Sequence, residues 1–175
     1  MKLIVIDMQK ALVCEDLYES NKLLNNVVKL VKTARKNNIE VIYIQHDAGE
    51  GSGFSRGDES FEITDQLKPE NNEKVFVKTI NSAFGNSGFS DYLKQSQDKD
   101  LMIVGLQTEY CIDATIKSAF EKGYHVIVPK GANSTFDNEY LDAKKAIKYY
   151  NEWIWPGSFA ECVSFAKALK LLGGN

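Results

Sequence analysis

The sequence predicts a parallel α/β fold, on two observations. Short, continuous apolar runs recur along the chain, and stretches with helical periodicity separate them. A run that is apolar at every position has no wet face, so it reads as a strand covered by helices on both sides. The runs are Leu3-Ile4-Val5-Ile6, Val41-Ile42-Tyr43-Ile44, Val75-Phe76-Val77, Leu101-Met102-Ile103-Val104 and Val126-Ile127-Val128, with a shorter sixth near residues 160–163.

Between the first two strands, Leu23, Leu24, Val27, Val28, Val31 and Ala34 fall on one stripe of a helix over residues 20–36. Further helices are predicted over residues 90–97, 109–122 and 138–150, and a last one runs to about Leu172. Residues 47–72 are rich in Gly, Ser, Asp and Glu and read as one long surface loop, with a short turn around 61–67. Loops of that length are functional lids or simply mobile.

Composition narrows the class. The 175 residues fit a single domain spanning 1–175, and a net charge of −3 offers no basic field for nucleic acid. Cys14, Cys111 and Cys162 are odd in number and far apart, which argues against a disulfide framework and a zinc ribbon and for a reducing compartment. The apolar run after Lys2 is too short for a signal-peptide core, and none approaches the roughly 18 residues of a membrane span. The expectation is a cytoplasmic, soluble protein with a small-molecule substrate, with neither nucleic acid nor membrane as partner.

In an open parallel sheet the site lies outside the carboxyl ends of the strands, so polar residues ending apolar strands are candidates. Asp7, His46 and Lys78 end the first three, and Cys111 follows the fourth after a short turn. On the predicted helix the core stripe is Ile112, Ile116, Ala119 and Phe120, and Gly123 caps its end. At about 100° per residue Cys111 lies well off that stripe, in line with Thr115 and Ser118. With Thr108 as N-cap, the thiol occupies the turn whose free N–H groups favour an anion. The alternative is an inert packing cysteine, and Cys111 alone does not decide between them.

Three spaced segments carry a family resemblance: Ile6-Asp7-Met8-Gln9; Lys78-x-x-x-Ser82-x-Phe84; and Val104-Gly105-Leu106-Gln107-Thr108-x-x-Cys111 with Ala114-Thr115. Together they resemble the isochorismatase-like cysteine hydrolases, over at least residues 2–136. The resemblance implies a three-layer α/β/α, Rossmann-like domain with a six-stranded parallel sheet in the order 3-2-1-4-5-6. It also implies an Asp7, Lys78 and Cys111 catalytic triad, a cis peptide at Leu106–Gln107, and assembly as a homodimer or tetramer.

The chemistry gives each residue a task. A thiol with a pKa of about 8.5 is only a few per cent thiolate at neutral pH, and a helix end contributes under about one pKa unit. Lys78 would add positive charge, and Asp7 would accept the thiol proton. The backbone N–H groups of Gln107 and Cys111 would hold the oxyanion of an attacked amide. The reaction expected is hydrolysis of a small amide, ureido or carbamoyl compound. Two other readings share the scaffold: a vinyl-ether hydrolase of the isochorismatase kind, against which Cys111 counts, and an idle binding scaffold.

Nicotinamidases of this family hold a metal with an Asp-x-His pair and further histidines, whereas this chain has only His46-Asp47 there. His125 opens the fifth strand, where a structural role is expected. No metal and no cofactor is therefore expected. Candidate substrate contacts are Gln9, His46, Arg56, Phe84, Tyr110 and Phe136. Trp153 and Trp155 are further candidates for pocket walls, with core or subunit-interface packing as the alternative. Cys14 either faces the site or packs, and Cys162 packs.

Overall fold

Among residues 1–174, which the computed structural model describes, seven strands form one parallel sheet. They are β1 (Lys2–Ile6), β2 (Glu40–His46), β3 (Lys74–Lys78), β4 (Asp100–Leu106), β5 (His125–Pro129), β6 (Asn133–Ser134) and β7 (Glu161–Val163). Their order is β3-β2-β1-β4-β5-β7, with the two-residue β6 paired to β4. The expected order is therefore present, with one strand more than the six anticipated. β5 pairs only with the start of β4, at 100–102, and the chain returns beside its end as β6 at Gly105 and Leu106. Two residues are too few to leave a periodic signal.

Five α-helices flank the sheet: α1 (Ser20–Lys36), α2 (Ser87–Lys94), α3 (Asp113–Glu121), α4 (Ala143–Tyr149) and α5 (Phe165–Leu171). Successive strand residues point to opposite faces, so each apolar run feeds two cores. Leu3, Val5, Val41, Tyr43, Met102 and Val104 pack with the buried stripe of α1 and with Ala168 of α5. Ile4, Ile6, Ile42, Ile44, Leu101 and Ile103 pack with Phe89 and Leu93 of α2 and Ile112, Ile116 and Ala119 around α3. Among the described residues, no helix is long and apolar enough to cross a membrane.

Helix starts differ from the periodic expectation where a polar side chain captures backbone N–H groups. The helix expected from 90 begins at Ser87, because Asn86 Oδ1 accepts from the Phe89 N–H (3.0 Å). The one expected from 138 begins at Ala143, after Asn138 Oδ1 takes the N–H groups of Tyr140 and Leu141 and Asp142 caps Lys145. The one expected over 109–122 is a π-turn (Thr108–Ile112) running into α3. Within the long loop, short 3-10 turns at Glu59–Phe61 and Asp65–Leu67 replace the single turn expected.

Gly105 sits opposite Ile6 in the β1–β4 ladder with φ of 121°, a conformation disfavoured for side-chain-bearing residues. A Cβ built there would lie 1.9 Å from the Ile6 carbonyl oxygen, which cannot move without breaking the sheet. Gly105→Ala is expected to destabilise the fold by about 4 kcal/mol or more. Urea unfolding of the purified variant checks this.

Candidate active site

The strand order brings three chain segments to one sheet edge. β1 lies between β2 and β4, so Asp7, just after β1, has the end of β2 on one side and the turn after β4 on the other. Its N–H donates to the Ile44 carbonyl (2.9 Å), and its φ of 51° turns the chain sharply out of the strand. Asp tolerates this left-handed conformation better than most residues. His46 and Lys78 are register partners at the ends of β2 and β3.

Lys78 is the hub of the site. Its ammonium is fully buried and lies 2.9 Å from Asp7 Oδ2, 3.1 Å from His46 Nδ1 and 3.2 Å from Cys111 Sγ. An ammonium has three N–H donors and no acceptor, so these three contacts use all of them. The second oxygen of Asp7, Oδ1, is buried and has no hydrogen-bond partner. Asp7, His46 and Cys111 bring one potential metal-ligating atom each within 4.8 Å of one another. The Lys78 ammonium is within hydrogen-bonding distance of all three residues and supplies a positive charge among them.

Burial raises the pKa of Asp7 above the ordinary carboxylate value, and the neighbouring Lys78 charge opposes that rise. Burial, and after it the Asp7 carboxylate, push the Cys111 thiol up to about 12 against the opposing pull of Lys78. Cys111 therefore rests as a protonated thiol beside the Asp7–Lys78 salt bridge. In the sequence reading, Lys78 has the task of adding positive charge beside the thiol. Burial outweighs Lys78 because a thiolate and a carboxylate must share one ammonium in a dry site.

Cys111 is off the core stripe of α3 but is not exposed. At 8 % exposure it packs at the edge of the second core. Thr108 is not the helix cap: its hydroxyl donates to Asn133 Oδ1 (2.9 Å), and Gln107 occupies the cap position. In the π-turn the N–H groups of Tyr110 and Ile112 both donate to the Gln107 carbonyl (3.2 and 3.1 Å), whereas that of Cys111, between them, does not. The Leu106–Gln107 peptide is cis.

The polar line that Cys111 shares with Thr115 and Ser118 has a structural use. Thr115 Oγ1 accepts from the Ala83 N–H (3.0 Å), and Ser118 Oγ accepts from Ser82 Oγ (2.9 Å). These bonds pin the turn that follows β3 against α3. They fix Lys78 relative to Cys111 from the helix side as well as from the sheet.

A cavity of about 220 Å³ opens over the thiol, lined by Asp7, Leu12, His46, Phe54, Asn81, Gln107, Tyr110 and Cys111. Of the candidate contacts, it includes His46 and Tyr110. Gln9 is fully buried and ties the chain together instead: Nε2 donates to the Phe61 and His46 carbonyls (2.8 and 3.0 Å), and Oε1 accepts from the His46 N–H (2.8 Å). Arg56 is 70 % exposed, pairs loosely with Asp47 (3.8 Å) and does not line the cavity. Phe84 packs on Phe89 and Tyr124, and Phe136 on the opposite core.

Trp155 is buried and donates from Nε1 to Asp113 (2.9 Å), while Trp153 is exposed and does not line the cavity. Cys14 lines a separate groove beside α1, and Cys162 packs at the edge of the second core. His125 meets Asp100 at the start of β5, as a structural residue would. Leu12, Phe54 and Asn81 escaped the sequence reading. Phe54 carried a signal, since it is the one bulky apolar side chain between Asp47 and Asp58.

A family model described as Isochorismatase domain matches residues 2–164. The uncharacterized isochorismatase family protein YrdC of Bacillus subtilis is 30% identical over 149 residues, 81% of this chain and 80% of its own. Streptothricin hydrolase of Streptomyces noursei is 28% identical over 77% of this chain, which spans only 50% of that protein. A crystal structure of an isochorismatase family protein superposes with a TM-score of 0.84 at 30% identity, covering 93% of this chain and 97% of that one. On the strength of this match and of the sheet order beneath it, the chain belongs to the isochorismatase family.

Proposed function

We propose that this protein hydrolyses the C–N bond of a small amide, ureido or carbamoyl compound through a thioester at Cys111. The observation that carries the reading is the buried Lys78 ammonium touching both Asp7 and Cys111, two residues that line a cavity. Relatives named streptothricin hydrolase and ureidoacrylate amidohydrolase, the latter 24% identical over 90% of this chain, support it.

Asp7 takes the thiol proton as Sγ bonds to the carbonyl carbon, and the ammonium stabilises the shared negative charge. The tetrahedral oxyanion is received by the N–H groups of Gln107 and Cys111. As the C–N bond breaks, Asp7 returns the proton to the departing nitrogen, which leaves as ammonia or an amine. Water, deprotonated by the same carboxylate, then attacks the thioester, and the thiol leaves with the proton restored. The raised thiol pKa suits this order, because the proton moves only when a carbonyl is in place.

Incubation with a panel of small amides, acid quench and mass spectrometry of the Cys111 peptide test the scheme. Expected is ammonia release together with an acyl increment on Cys111. Turnover that continues after Cys111 has been alkylated overturns it.

A further inference from the structure

The charges and donors around the thiol restrict which amide the cavity can take. All three N–H groups of Lys78 are engaged by Asp7, His46 and Cys111, so none is left for a substrate carboxylate. The Asp7–Lys78 pair is neutral as a unit, and the unpartnered Asp7 Oδ1 adds negative potential at the site. No lysine or arginine lines the cavity, and Arg56 stands outside it. Leu12, Phe54 and Tyr110 supply apolar walls.

His46 supplies a donor. Its Nδ1 faces an ammonium that can only donate, so Nδ1 carries the lone pair and the ring proton resides on Nε2. Burial and the Lys78 charge hold the imidazole below its ordinary pKa, which keeps this tautomer neutral. The ring lies along Phe54, with centroids 6.0 Å apart, and lines the cavity. Its free N–H is therefore the donor it can offer a bound molecule.

We propose that the site selects uncharged amides, oriented by a hydrogen bond from His46 Nε2–H, and rejects amides bearing a carboxylate near the scissile carbonyl. This rests on the function proposed above and deepens it by naming the substrate class. His46 acts here as a specificity residue.

Iodoacetamide and iodoacetate test it without a known substrate, because they differ only in replacing an uncharged amide with a carboxylate. The rates of alkylation at Cys111 are read by peptide mass spectrometry, which separates Cys14 and Cys162, and are normalised to the same pair reacting with glutathione. Expected is a preference for iodoacetamide at least about tenfold beyond that of glutathione, because a like charge beside Asp7 is disfavoured. His46→Phe, which removes the donor and frees one Lys78 N–H, should bring the preference down towards that of glutathione. His46→Gln should retain most of it, and Arg56→Ala should leave it unchanged. A wild-type ratio no greater than that of glutathione overturns the proposal even if His46→Phe folds poorly. So does loss of iodoacetate labelling in Arg56→Ala, which would reveal an anion anchor. Labelling of Cys111 that is indifferent to Asp7→Asn counts against the proposed function itself, whatever the ratio.

Discussion

Lys78→Met is expected to lower folding stability by about 3–5 kcal/mol at pH 8, the usual consequence of leaving one member of a buried ion pair without its partner. Methionine fills nearly the same volume, so the loss reports charge rather than a cavity. Asp7 would then hold its negative charge with both oxygens dry and no cation within reach.

The pH dependence has a definite sign. Burial already raises the folded-state pKa of Asp7, and Lys78 is the main influence lowering it. Without Lys78 the folded pKa climbs further above the unfolded value. Between those two values the folded state binds a proton that the unfolded state lacks, so stability falls as pH rises and recovers as pH drops. Urea midpoints should accordingly be closer to wild type at pH 5 than at pH 8, and Asp7→Asn in the same chain should restore much of the loss. An equal loss at both pH values would show that Lys78 contributes by packing alone.

Cys111→Ser should reduce amide turnover on the order of 10⁴-fold or more, in the range seen when nucleophiles of acyl-transfer enzymes are removed. Serine keeps the size of the side chain and its place beside Lys78. What it loses is nucleophilicity, because a hydroxyl is a weaker acid than a thiol and yields its proton to Asp7 less readily. Initial rates of ammonia release measure the effect, and thermal unfolding close to wild type would show that the fold is intact. In the wild type, a thiol pushed up to about 12 should be alkylated faster with each rise in pH from 7 to 10. A plateau near pH 7 would contradict a thiol that rests protonated.

Much of this site can be read from the chain because chemistry falls at abrupt changes of pattern. Asp7, His46 and Lys78 each end a continuous apolar run, and sheet topology places such ends together. Cys111 is legible for the opposite reason, being polar-side on an otherwise patterned helix. What remained hidden depends on distance between segments. Gln9 looks like a site residue in sequence, yet its amide is taken by carbonyls of Phe61 and His46, contacts made across the long loop. Phe84 and Phe136 have the composition of pocket walls and belong to the two cores. The π-turn at Thr108–Ile112 eluded periodicity because one widened turn shifts the phase of only a few side chains.

The bonds from Ser82 and Ala83 to α3 have a mechanical meaning. From Lys78, the chain runs four residues to Ser82, crosses to Ser118 and Thr115, and returns along the helix to Cys111. A second route between the same two residues runs through the sheet, by way of β2, β1 and β4. The ammonium and the sulfur thus lie at two joints of a closed frame, with neither at the tip of a free arm. Thermal motion that opens one route is resisted by the other, so the pair holds its spacing until the domain itself gives way.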